Sequence, residues 1–180
     1  MATITPDVAK KIAPNRPYPE TVRALAEKWG PVFGVDPSWV ISHAYVESSN
    51  RPGVYNPRGN AWGLMQLKPG TAADVVRWLK AAGLRKDPQV AKVLKTCWHG
   101  DGEDLLNPEL NLMFGTFYLS HIKRQFEQMF GRGDHEVVAA AYNQGPGAVR
   151  KLLRKGDFEP TEPMQHYLAK IEEAKEKGFA

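Results

Sequence analysis

Apolar residues recur at steps of three and four along most of this chain, and Pro or Asp-Pro marks where several of the runs begin. In PETVRALAEKWGPVFG (19–34), Val22, Leu25, Ala26 and Trp29 predict a first helix, with Gly30 and Pro31 as its stop. Asp36 caps a second helix with Pro37 in its first position, and SWVISHAYVES carries it to about Ser48. A third is predicted over 71–83, with Val75, Val76, Trp78 and Leu79 available to a core and Gly83 as its end. A fourth over 87–98 again opens on Asp-Pro. The longest, over 107–130, takes Asn107 as cap and buries Leu110, Met113, Phe114, Phe117 and Leu119 on a broad face. Stretches 134–143, 147–156 and 161–178 complete a mostly α chain. RPGVYNPRGNAWG is a Gly-, Pro- and Asn-rich loop, and the only strand material, around 53–62, suits one small β-hairpin. HGDGED reads as a loop. The expected organisation is a loosely ordered arm over 1–18 and a single domain over 19–180.

Composition narrows the classes. Cys97 is the only cysteine, so the fold uses no intrachain disulfide. A net charge of +4 suits an anionic partner, a property that nucleic acid, membrane surfaces and bacterial wall polymers share. The basic residues are scattered apart from Arg150, Lys151, Arg154 and Lys155, which read as a solvated helix face. No nucleic-acid partner is expected. No apolar run approaches a membrane span, and the polar N-terminus lacks the apolar core of a signal peptide. GPGAVR departs from the dinucleotide fingerprint. No HExxH pattern or Cys/His cluster is present, so neither cofactor nor metal is expected, and His43 is read as a satisfied helix residue.

Glu47 stands out by isolation. The chain holds 20 acidic residues, yet none falls between Glu47 and Asp74. Val40, Ala44 and Glu47 share one helical stripe with His43 alongside, so the carboxyl leaves the helix's last turn from its apolar side. Burial and a helix C-terminus both disfavour a negative charge there, which raises the carboxyl pKa toward that of a general acid. Residues 45–66 also supply Tyr45, Tyr55, Trp62, Asn50, Asn56, Asn60 and Gln66, the aromatic and amide groups that bind glycans in grooves.

Three stretches in order carry a resemblance: Glu47-Ser48, GLMQL at 63–67 and AAYNQGPGAV at 140–149. They resemble the signature motifs of the soluble lytic transglycosylases, over a span from about Val22 to Tyr167. That resemblance implies a goose-lysozyme-like α domain with a groove that binds peptidoglycan glycan strands. It implies Glu47 as catalytic acid and then base, and Ser48 as orienting the acid or the sugar. Met65 and Gln66 would line the groove, Tyr142 would hydrogen-bond near Glu47, and Asn143 would meet an acetamido or hydroxyl group. Tyr167 matches the tyrosine on the closing helix that reaches the same pocket. One carboxyl suffices for the chemistry implied, cleavage between N-acetylmuramic acid and N-acetylglucosamine with closure of a 1,6-anhydro ring.

Two departures qualify the match. Residues 80–106 are longer than the usual connection and read as an inserted helix and loop that covers the groove, extends it or touches a partner. Pro163 stands where the family often has glutamate, with Glu162 one residue earlier. The rival on the same fold is a hydrolytic goose-type lysozyme, whose water-guiding acid would have to come from Asp101, Glu103, Asp104 or elsewhere. The rival of another class is a non-catalytic wall-binding or structural virion domain. AYNQG followed by KGDF looks most like phage-encoded members. With no signal peptide seen, the expected route to the periplasmic wall is a phage particle or lysis system, with a secretion apparatus as the alternative.

Overall fold

Proline opens the first turn of seven of the eight α-helices among the described residues, where its missing N–H costs nothing and its fixed φ favours the helix. The computed structural model describes residues 16–156 and 158–177. Most of the expected N-terminal arm (1–15) and positions 178–180 lie outside the described residues. The helices are α1 Pro19–Phe33, α2 Pro37–Ser48, α3 Pro69–Ala81, α4 Pro88–Cys97, α5 Pro108–Phe130, α6 His135–Gln144, α7 Pro146–Leu153 and α8 Glu162–Glu176. Asp36, Asp87, Asn107 and Asp134 accept backbone N–H groups of the first turns they precede, as N-caps do. Between α2 and α3 lies an antiparallel hairpin, β1 Tyr55–Asn56 and β2 Ala61–Trp62, with Tyr55 opposite Trp62.

The structure moves some expected boundaries. α1 runs through Gly30 and Pro31 to Phe33 and ends at Gly34, whose N–H returns to the Gly30 carbonyl. Phe33 is the reason for the extra turn: it stacks on Trp29 at 5.8 Å and meets Phe117 edge-on at 5.4 Å. α3 begins two residues early, at Pro69. The expected loop before α5 tightens into a 3-10 turn over Gly102–Leu106.

α5 is the axis of the packing. Leu110, Met113, Phe114, Phe117, Leu119, Ile122 and Phe126 are all buried, and α1, α2, α3, α4 and α6 pack around them. Burial of each such side chain contributes about 1.5–3 kcal/mol. α8 closes the other side of the molecule, lying across α2 and α6.

One polar side chain on this apolar helix organises the loops. Asn111, fully buried, accepts the Met65 N–H at 2.8 Å and donates to the carbonyls of Trp62 (2.7 Å) and Leu105 (2.8 Å). It thereby joins the hairpin, the 63–67 turn and the 102–106 turn to α5. The fit demands glycine at 63: φ is +74°, and a Cβ there would overlap the Leu105 carbonyl oxygen and the Asn111 amide. Replacing Asn111 with Ala strands the Met65 N–H and the Leu105 carbonyl, while the Trp62 carbonyl keeps the Leu67 N–H, so Asn111→Ala is expected to cost roughly 2 kcal/mol or more, read as a fall in the urea midpoint.

Candidate active site

Glu47 lies in the last turn of α2, half-buried, facing α8. Tyr167 of α8 donates its hydroxyl to Glu47 Oε1 at 2.7 Å. The same hydroxyl lies 3.0 Å from Nδ1 of His43, which sits one turn earlier on α2 and is fully buried. Loss of hydration pushes the Glu47 pKa up to about 7 from an ordinary 4.5, against the smaller downward pulls of the Tyr167 hydrogen bond and Lys170. Burial, with Glu47 close by, drives the Tyr167 and Tyr142 hydroxyls well above the usual phenol range, so both keep their protons.

Tyr142 leaves α6 toward the loop. Its hydroxyl donates to the Met65 carbonyl at 2.7 Å, and its ring packs edge-on against His43 at 4.9 Å. Gln66 adopts a left-handed backbone (φ +46°) and donates from Nε2 to the carbonyls of Gly63 and Val54, which fastens the turn to the hairpin. Beside these residues opens a cavity of about 280 Å³, lined by Gln66, Lys68, Thr71, Tyr118, Tyr142 and Asn143 among others. Asn143 is exposed at its edge.

The structure thus joins Tyr167 directly to Glu47 and gathers Gln66, Tyr142 and Asn143 along one concavity. Two residues sit otherwise than expected. The Met65 side chain is fully buried in the core against Gly115, and Met65 meets Tyr142 only through its carbonyl. Ser48 is buried and donates its hydroxyl back to the Ala44 carbonyl within its own helix. Pro163 proves to be the second residue of α8, and the helix starting at Glu162 sets Tyr167 against Glu47 despite the departure from the motif.

Sequence reasoning missed Asn111 and the contact of His43. Asn111 was visible as a lone amide among the apolar positions of α5. For His43 the signal was its place beside the stripe that carries Glu47; its partner, 124 residues away, was not. Of the acids in the 80–106 segment, Asp101 and Asp104 are engaged locally, whereas Glu103 Oε2 has no hydrogen-bond partner among the described residues. Asp104 is buried and accepts the N–H groups of His99 and Asp101, while Asp101 caps the Glu103 N–H. Among the described residues no three His, Cys, Asp or Glu side chains gather as a metal site would need, and no helix is long and apolar enough to cross a membrane.

Comparison with known proteins gives the family. Residues 24–165 match the transglycosylase SLT domain. The chain is 37% identical over 120 residues to the soluble lytic murein transglycosylase of Salmonella typhimurium, covering 66% of this chain and 15% of that protein. It is 35% identical over 134 residues to the endo-type membrane-bound lytic murein transglycosylase A of Klebsiella pneumoniae, covering 72% of this chain and 57% of that one. The 70 kDa soluble lytic transglycosylase of Escherichia coli superposes with a TM-score of 0.63 at 26% identity, over 92% of this chain and 24% of that chain. The chain therefore spans only part of each of these relatives. The fold class is as expected, a mostly α, lysozyme-like domain with one small hairpin. A match covering most of the chain, with Glu47, the 63–67 turn and Tyr142 brought together in space, means that this chain belongs to the SLT transglycosylase domain family.

Proposed function

We propose that this chain is a peptidoglycan lytic transglycosylase that cleaves the β-1,4 bond between N-acetylmuramic acid and N-acetylglucosamine without water. The observation that carries the reading is a half-buried carboxyl with its pKa pushed up to about 7, held by one phenol and followed by no acidic residue before Asp74. Glu47-COOH protonates the bridging oxygen as the bond to the anomeric carbon breaks, and the substrate's 2-acetamido group steadies the positive charge that develops there. The Glu47 carboxylate then takes the proton of the muramic O6 hydroxyl, and O6 closes onto the anomeric carbon as a 1,6-anhydro ring. Acid and base are the same group at successive moments, and no second carboxylate is required to activate water or to form a covalent intermediate.

The other residues divide the work. Tyr167 orients Glu47. Tyr142, through the Met65 carbonyl, holds the 63–67 turn at the groove wall, and Gln66 and Asn143 offer amides to sugar substituents. Ser48 fixes the end of α2 in place of contacting sugar. Residues 19–180 act as one domain in this reading, and the 80–106 segment braces the hairpin side of the groove, where Gly102 lies close against Trp62. The target is the bacterial wall. The likeness of AYNQG and KGDF to phage-encoded members supports delivery by a phage particle or lysis system.

Glu47→Gln is expected to slow digestion of purified sacculi by at least about 100-fold. Products of the intact protein should carry anhydro ends, lighter by one water than reducing ends in mass spectrometry. Reducing ends would assign hydrolysis to the same fold, and a Glu47→Gln variant as fast as the parent would remove Glu47 from the chemistry. Because the protonated form acts first, kcat/KM should fall as pH rises through about 7.

The same shift has a stability sign. A carboxyl with its folded pKa above its unfolded value binds its proton more tightly when folded. Its contribution is complete below about 4.5 and is lost as pH rises through about 7. Glu47→Gln should therefore exceed the parent in stability by on the order of 2 kcal/mol at pH 8 and match it at pH 4, measured by denaturant titration.

A further inference from the structure

His43, Tyr167 and Glu47 form a line of contacts that joins α2 to α8. His43 Nδ1 lies 3.0 Å from Tyr167 Oη, and that oxygen lies 2.7 Å from Glu47 Oε1. The rings of Tyr142 (4.9 Å) and His135 (5.4 Å) wall the imidazole in, and His43 itself is fully buried. Its Nε2 is buried and has no hydrogen-bond partner among the described residues.

A neutral imidazole carries one N–H. Placed on Nε2, that N–H would be a stranded buried donor. Placed on Nδ1, it donates to Tyr167 Oη and leaves only a lone pair unmatched at Nε2, the more tolerable of the two. Tyr167 has a single proton, and with Nδ1–H already aimed at its oxygen that proton goes to Glu47 Oε1. Burial, with His135 and Lys175 nearby, holds the His43 pKa well below its ordinary value, so the imidazole stays neutral and does not compete for the Glu47 proton. Lys170 and Tyr142 are the other titratable groups that act on this line.

We propose that His43 is a positioning residue whose Nδ1–H makes Tyr167 a one-way donor to Glu47 Oε1, so that the proton Glu47 gives and retakes resides on Oε2. The inference rests on the reading of Glu47 as the acid and base. Both the neutral and the ionised carboxyl accept Tyr167 at Oε1, so Glu47 changes role without the phenol turning. The opposite direction, Glu47 to Tyr167 to His43, would commit the acid's proton to the interior and keep it from the glycan.

Two measurements test this. In the ¹⁵N-histidine NMR spectrum of the intact protein, His43 should show a protonated Nδ1 and a bare Nε2 at neutral pH; the reverse tautomer overturns the proposal. His43→Leu, folded by circular dichroism, should lower kcat about tenfold with KM within about twofold, a part of the roughly 100- to 10,000-fold that positioned proton transfer supplies. His43→Asn, which offers a side-chain N–H near Nδ1, should keep kcat within about threefold. In a Tyr167→Phe background, His43→Leu should change kcat by less than about twofold, because the relay is already cut. Losses that multiply in the double variant, a His43→Asn as slow as His43→Leu, or an unchanged His43→Leu each overturn it. Should the Leu variant not fold, the tautomer and the Asn variant decide. An active Glu47→Gln would mean that the acid assignment fails. An inactive Glu47→Gln with a flat His43 series would mean that only this inference does.

Discussion

A carboxyl half withdrawn from water and held by one phenol is the constraint around which this molecule is arranged. Left in solvent, Glu47 would be ionised at neutral pH. Sealed in apolar surroundings without a partner, it would lose orientation and destabilise the fold. The packing of α8 across α2 and α6 meets both demands together, since it removes hydration and delivers the Tyr167 hydroxyl. Behind that contact the rings of Tyr142 and His135 pack against the buried His43.

The opposite wall is made of loop, and loops need anchoring. The 63–67 turn carries two left-handed residues, Gly63 and Gln66, and would have little reason to keep its shape alone. Asn111 supplies the reason from within the core, and the Gln66 amide supplies it from the hairpin side. Tyr142 connects the two walls: its ring touches His43 and its hydroxyl holds the Met65 carbonyl. One side chain on α6 therefore touches both the loop and the buried imidazole.

The helices were largely legible in sequence because their cues are local. Apolar spacing, Asx caps and proline starts fix each one within a few residues, and α1 overran its expected stop only because Phe33 finds Trp29 and Phe117. Glu47 was legible through isolation and stripe. What the sequence hid were partnerships across long separations. Nothing near residue 43 announces Tyr167, and nothing near residue 65 announces Asn111 or the pocket at Gly115 that takes the Met65 side chain. Ser48 lies beside an acid in sequence, yet its hydroxyl bonds the Ala44 carbonyl, as a serine in a helix's last turn readily does.

The prolines that begin the helices have an effect that no contact in the folded molecule reveals. Each fixes one φ in the denatured ensemble as well as in the native state, so the chain surrenders less freedom when it folds. Where the native backbone already suits it, such a proline is worth about 0.4–1 kcal/mol. Seven of them at compatible positions make the native state's lead over its competitors partly a property of those competitors, which begin with fewer ways to be wrong.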